Sequence, residues 1–256
     1  MRLPNFTLAR PPGIISLYVR SLPIVEAKAG NRGAVRHCRL PRRLESSVQH
    51  GSHAASPGDP AASEGTDPSN FDYAWGLVPY WAKDPSITTG MINAKSETAA
   101  TKPAFRDPLK FRRCLIPADG FYEWQRRGNS KQPFCFEVNN GGLFAFAGLW
   151  DGWKDSSGRW VKTCSILTTT PNAVTSAIHD RMPVILDPNS YDLWLDPGMQ
   201  NVAAISELLK PYDARPMRCY PVSTRINHVA NDDAECSRLV EVADAQNPLF
   251  GEGTTT

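Results

Sequence analysis

The chain has 256 residues, 41% of them hydrophobic and 21% charged, with a net charge of +2. This is the composition of a soluble globular protein that can bury a core in one large domain or two small ones. Its longest apolar run, Leu143 to Trp150 with only Gly148 interrupting, is too short to span a bilayer, and Arg20 ends the apolar stretch Gly13 to Val19 before a signal-peptide core develops. The expected location is therefore cytoplasmic, with no membrane partner.

The six cysteines are scattered, with no Cys-x-x-Cys pair and no histidine at metal-ligand spacing. Buried reduced thiols are expected, and neither a metal nor a cofactor is implied. Charge is uneven: residues 1–70 hold nine Lys/Arg against five Asp/Glu, and residues 71–256 hold nineteen against twenty-one. A phosphate-rich partner would need a local basic patch rather than a basic domain. Lys102 to Lys131 offers one, with eight basic residues that include Arg112 and Arg113. A solvated face is the plainer reading of such a cluster.

Residues 1–70 are rich in Pro, Arg, Ser, Ala and Gly and poor in hydrophobic periodicity, so an atypical, disordered segment is expected there. A folded domain is expected over 71–242 and a flexible tail over 243–256. The domain opens with Tyr73 to Trp81, read as a strand running into a proline-marked turn. Met91 to Thr98 leads into a helix or loop over Ala99 to Phe105.

Next comes Cys114-Leu115-Ile116-Pro117, followed by Asp119-Gly120-Phe121-Tyr122-Glu123-Trp124. On a strand, Phe121 and Glu123 share one face and Tyr122 and Trp124 the other. Glu123 then sits among aromatic rings, where desolvation raises a carboxyl pKa and suits it to proton transfer. A half-buried edge glutamate is the plainer alternative.

Pro133 to Val138, Asn139-Asn140-Gly141-Gly142 and Leu143 to Leu149 read as a β-hairpin, and Asp155-Ser156-Ser157-Gly158 marks another before Val161 to Thr169. Pro171 to Ile178 reads as a short helix capped by Thr170. It delivers His179-Asp180-Arg181-Met182-Pro183 to a loop before the strand-like Val184 to Leu186. Asn189 to Leu195 and Asn201 to Leu209 read as helices, and Cys219 to Val222 as a last strand. The predicted class is α+β: one domain of mainly antiparallel strands forming a barrel-like sheet, with a few short helices.

Four stretches carry a resemblance together that none carries singly: Trp75-Gly76-Leu77-Val78-Pro79, Asn93-Ala94-Lys95-Ser96-Glu97-Thr98, Gly120-Phe121-Tyr122-Glu123-Trp124 and His179-Asp180-Arg181-Met182-Pro183. In this order the chain resembles the SRAP (SOS response-associated peptidase) domain family from about Trp75 to Glu235. The resemblance implies action on abasic sites in single-stranded DNA. An N-terminal cysteine captures the opened sugar aldehyde as a thiazolidine crosslink, with an associated autopeptidase activity and nucleoid association when on DNA. It implies Glu123 as acid–base group, His179 as second proton-transfer group and Asn93 as the residue positioning the cysteine. Lys95, which stands where the family has arginine, Thr168 and Arg181 are implied to contact DNA, and Trp75 to pack beside the site. No cofactor, metal or obligate protein partner is implied.

The sequence departs from the family at its start. Members begin Met-Cys-Gly-Arg, whereas this sequence begins Met1-Arg2-Leu3-Pro4. The family's Tyr-Asn-x-x-Pro-Thr-Gln segment is also missing. Leu44 to Ala55, however, can be encoded by a DNA string that, read one base later, spells Trp-Ser-Pro-Ala-Tyr-Asn-Met-Ala-Pro-Thr-Gln. A frameshifted reading of a normal N-terminus is expected, with the frame restored just before Trp75. Two other functions compete: a catalytically dead single-stranded DNA-binding module, and a thiol peptidase pairing Cys114 with His179. The apolar strand around Cys114 raises a thiol pKa and disfavours the second.

Overall fold

The computed structural model describes residues 16–18, 74–228, 231 and 233–241. The N-terminal segment is represented there by one strand only, and the tail expected at 243–256 lies outside the described residues. The strands in chain order are β1 (Ser16–Tyr18), β2 (Ala74–Trp75), β3 (Asn93–Lys95), β4 (Arg113–Ala118), β5 (Gly120–Arg127), β6 (Ser130–Val138), β7 (Phe144–Lys154), β8 (Trp160–Thr169), β9 (Met182–Pro183), β10 (Ile185–Leu186) and β11 (Met217–Pro221). Four short helices accompany them: α1 (Ser96–Ala99), α2 (Arg106–Phe111), α3 (Tyr191–Leu195) and α4 (Val202–Glu207).

The strands form two sheets. One is four-stranded in the order β1-β5-β6-β11; the other is seven-stranded, built on β10-β7-β8-β2 with β4 on β7 and β3 and β9 on β8. The larger sheet curls as a half-barrel, and the fold is α+β. Pairing is antiparallel except where β2 and β3 run parallel to successive parts of β8. That exception places Trp75 beside Cys164, Asn93 beside Ile166 and Lys95 beside Thr168. Parallel partners point to the same side of a sheet, so Trp75, Asn93, Lys95 and Thr168 share one face.

Alternation along the strands divides the core. Ala94, Leu149 and Leu167 face one side, packing with Leu109, Trp194 and Ile205 under the helices. Phe146 and Ile166 face the other and meet Phe121 and Phe136 of the smaller sheet. Phe121 stacks on Phe136 at 4.9 Å and meets Phe146 edge-on at 5.9 Å, which joins the sheets. A third cluster, Tyr122, Cys135, Val222, Ile226 and Cys236, lies on the far face of β5 and β6. The larger sheet needs Gly148 on β7, because a Cβ there would stand 2.7 Å from Cys114 Sγ and 2.8 Å from Ile116 Cδ1.

Several local expectations are corrected. Asn139 to Gly142 is a turn, with positive φ at Asn139 (48°), Asn140 (58°) and Gly141 (81°), but β6 and β7 do not pair: the turn passes the chain from one sheet to the other. The hairpin instead joins β5 to β6, pairing Arg127 with Ser130 across Gly128, whose φ is +56°. Pro171 to Ile178 is a series of turns, not a helix, because the Asn172 carboxamide accepts from the backbone N–H groups of Val174 and Thr175 and competes with helical pairing. The strand at Trp75 stops at Gly76 (φ +113°) rather than continuing to Trp81. Helix α2, absent from the sequence reading, follows the turn at Thr101 to Phe105. The hairpin at Asp155 to Gly158 joins β7 to β8 as expected.

Candidate active site and nucleic-acid interface

Strand β5 carries Glu123 into the space between the sheets. Phe121 lies in the inter-sheet core and Tyr122 on the far face, so alternation sends Glu123 inward. The residue is only 2% exposed, against the half-buried edge position that was the plainer expectation. Burial pushes its carboxyl up to about 8, opposed by a backbone hydrogen bond at Trp124 and assisted by the charge of Asp180. At neutral pH this carboxyl holds its proton.

His179 faces it, with Nε2 4.0 Å from Glu123 Oε2. Nδ1 accepts from the Arg181 backbone N–H at 3.1 Å and lies 3.2 Å from Asp180 Oδ1. The loop is tied to β5 by Gln125, two residues beyond Glu123, whose Nε2 donates to Ala177 O at 3.1 Å. Strand and loop are thereby fixed relative to each other.

The other predicted residues stand on β2, β3, β8 and the His179 loop. Trp75 is partly buried against the inter-sheet core, and its Nε1 donates to Ile92 O at 3.0 Å. Asn93 presents a buried Oδ1 with no hydrogen-bond partner among the described residues. Lys95 is exposed at the end of β3. Thr168 is 5% exposed and is spent on Arg181, whose Nη2 donates to its carbonyl at 2.6 Å and contacts its Oγ1 at 3.3 Å.

Arg181 in turn grips Glu97 through two hydrogen bonds of 2.6 and 2.9 Å, which hold the Glu97 carboxyl below its ordinary range. Glu97 was not singled out from sequence. The 84 residues separating it from Arg181 leave no local signal.

A groove of about 520 Å³ runs beside β3, lined by Trp81, Asn93, Lys95, Lys102 and Phe105 among others. Trp81 is 48% exposed and the neighbouring Tyr80 59%. The basic patch is smaller than the sequence implied. Arg113 is buried and donates to the carbonyls of Leu109, Lys110, Trp194 and Asp196, closing the C-terminal ends of α2 and α3. Arg112 pairs with the buried Asp151 at 3.3 Å. Cys114 sits on β4 opposite Gly148 in the larger sheet, a packing position. No group of three metal-ligating side chains occurs among the described residues, and none of their helices is long and apolar enough to cross a membrane.

A family model described as SOS response associated peptidase (SRAP) matches residues 45–229. The chain belongs to this family. The abasic site processing protein YoqW of Bacillus subtilis is 46% identical over 162 residues, covering 63% of this chain and 72% of that protein. The abasic site processing protein HMCES of Gallus gallus is 35% identical over 196 residues, covering 67% of this chain and 58% of that protein. Among solved structures, a protein from Bacteroides thetaiotaomicron superposes with a TM-score of 0.63 at 32% identity, over 66% of this chain and 76% of that one. The SRAP match spans both the β5 carboxylate and the His179 loop.

Proposed function

We propose that this SRAP chain processes abasic sites in single-stranded DNA, with Glu123 as general acid, His179 as its proton-transfer partner and Asn93 as the residue orienting the attacking amine. The observation that carries the reading is the dry carboxyl of Glu123, 4.0 Å from an imidazole that is itself oriented by the backbone. Opening the sugar hemiacetal moves a proton from the C1′ hydroxyl to the ring oxygen. Amine attack on the resulting aldehyde then gives a carbinolamine, whose hydroxyl leaves as water when Glu123 supplies a proton. His179 receives the proton that the amine sheds. The unpartnered Asn93 Oδ1 is suited to accept from the N–H of that amine.

Lys95 and Lys102 along the groove supply phosphate attraction, and Trp81 a surface on which a base can stack. Arg181 reaches phosphate by exchanging Glu97 for it. The final thiazolidine needs a thiol beside the amine, and position 2 of this sequence is Arg2. The crosslinking step is assigned to a protein that carries a cysteine next to the initiator methionine, as the frameshifted reading of residues 1–70 would supply. Without that cysteine, the same fold acts as a single-stranded DNA-binding module.

The test joins gene and protein. Sequencing the first eighty codons and their upstream flank should give Met-Cys-Gly-Arg and the Tyr-Asn-Met-Ala-Pro-Thr-Gln segment. The protein made from that frame should form a denaturant-resistant adduct with an abasic-site oligonucleotide, and the present chain only a salt-sensitive complex. Equal binding of intact and abasic single strands, with no adduct from either protein, would sink the abasic-site reading.

A further inference from the structure

We propose that one face of the β7–β8 hairpin is a track for single-stranded nucleic acid, with the rings of Trp150 and Trp160 receiving bases and Lys154 and Lys162 receiving phosphates. This rests on the single-stranded DNA reading above and extends it beyond the reactive pocket. The register pairs Trp150 with Cys164, Gly152 with Lys162 and Lys154 with Trp160, so these six positions lie on one face. It is the face that carries Ile166 and Thr168 further along β8, and through them Asn93, Lys95 and the Arg181 contact. Its inner part is covered, with Ile166 and Cys164 buried in the inter-sheet core and Trp150 packed partly against it, so the accessible run is Gly152, Lys154, Trp160 and Lys162 with the exposed part of Trp150.

The two faces of the hairpin are used differently. On the opposite face, Thr163 Oγ1 accepts from Val78 N at 2.8 Å, Asp151 accepts from Tyr80 N at 3.1 Å and Trp153 Nε1 donates to Ala82 O at 2.7 Å. Those three side chains fasten the turn that displays Tyr80 and Trp81.

The track face holds cations and rings instead. Lys154 Nζ lies 5.8 Å from the Trp160 ring centre and Lys162 Nζ 5.5 Å from that of Trp150. Trp160 is 46% exposed, and its ring lies 3.7 Å from where a Cβ on Gly152 would stand. No carboxylate stands at any of the six positions. Asp151 projects from the other face, and Asp155 is held by Arg159 in the turn.

An ammonium over an indole exchanges readily for a base on the ring and a phosphate on the ammonium, because both partners of the original pair are kept in use. An acidic peptide would satisfy only the lysines. The alternation of ring and cation starts at Trp150, in the same cross-strand row as Cys164 and Trp75, and matches the alternation of base and phosphate.

The test measures fluorescence anisotropy of labelled oligothymidylates of about five and about fifteen nucleotides on the full chain, its W160A, K162A and W160F variants, and a labelled oligoglutamate control. The wild type should bind the longer strand more tightly. W160A and K162A should each lose about five- to tenfold on the longer strand and less than about twofold on the shorter, with W160F keeping most of the affinity. Retained affinity for the shorter strand reports an intact fold. Unchanged binding of the longer strand by W160A and K162A overturns the track alone. So does equal loss on both lengths, or oligoglutamate binding with the same dependence on Trp160. Failure of the wild type to bind either oligonucleotide overturns the track and the single-stranded DNA reading together.

Discussion

Glu123 and Glu137 sit on neighbouring strands of the same sheet and are buried alike, at 2% and 3% exposure. Their surroundings differ completely. Glu137 faces the third core cluster, where Arg218 Nε reaches its Oε2 at 2.7 Å and Tyr220 donates to its Oε1 at 2.6 Å. Burial and that hydrogen bond together raise the Tyr220 phenol, so it stays a donor. Glu123 faces the space between the sheets, where an imidazole stands 4.0 Å away and desolvation dominates. Equal burial thus yields a carboxylate saturated by cross-strand partners in one case and a proton-holding acid in the other. What separates them is face and neighbour: Glu137 on β6 has β11 beside it in the sheet, whose Arg218 and Tyr220 project from the same face, and Glu123 on β5 points to the opposite face.

Four substitutions test this contrast, the largest effect first. Glu123→Gln in a version of the protein given the proposed Met-Cys-Gly-Arg start should lower the rate of adduct formation on abasic-site DNA by about a hundredfold or more, the usual worth of a positioned general acid. Its secondary structure by circular dichroism should be unchanged. Adduct yield at the wild-type rate would remove Glu123 from the chemistry.

Glu137→Gln should do the reverse. Denaturant unfolding should show a loss of about 2 kcal/mol, because Arg218 and Tyr220 lose the charge they share. The rate per folded molecule should be kept. Loss of rate without loss of stability would make the two carboxylates equivalent and break the comparison.

The pH dependence of stability sharpens it further. The Glu123 carboxyl stands near 8 in the folded chain and near 4.5 in the unfolded one. The folded state therefore binds more protons between these values, and stability falls as pH rises through that window, then levels above about pH 8. The full loss is on the order of a few kcal/mol. Unfolding of Glu123→Gln between pH 5 and 9 should lack this fall, and that of Glu137→Gln should keep it. The same proton sets activity, which should decline above about pH 8 as the acid form is lost.

The smallest effect concerns Lys95. Lys95→Arg should tighten single-stranded DNA by about twofold by adding a fork to the proposed phosphate contact. Lys95→Ala should lower the slope of binding against salt by about one ion. Equal salt slopes for Lys95→Ala and wild type would place the phosphates elsewhere.

The placement of the candidate site residues was largely legible because strand alternation is local. Phe121, Glu123 and Trp124 took the faces that a period of two dictates, and Trp75, Asn93, Lys95, Thr168 and His179 lie on the strands and loop that the motifs marked. What failed was pairing. Asn139 to Gly142 makes the left-handed turn its residues favour, yet a turn of that kind says nothing about whether the flanking strands meet, and these part into different sheets. Arg113 was counted with the basic patch because charge is visible in sequence, while its four backbone carbonyl partners, two of them more than eighty residues away, are not. Pro171 to Ile178 has a helical opening, and the Asn172 side chain diverts it.

The sequence alone determined the α+β class, the motif order that places the chain in the SRAP family and the direction in which Glu123 points, because each follows from residue type and short-range periodicity. The tertiary structure decided which buried carboxyl is left without an arginine, which arginines are consumed by the fold and which hairpin face fastens the turn at Tyr80 and Trp81. Those outcomes depend on contacts such as Glu97 with Arg181 and Glu137 with Arg218, made across more than eighty residues of chain. Desolvation and ion pairing act through space, so they become readable only once the chain has folded.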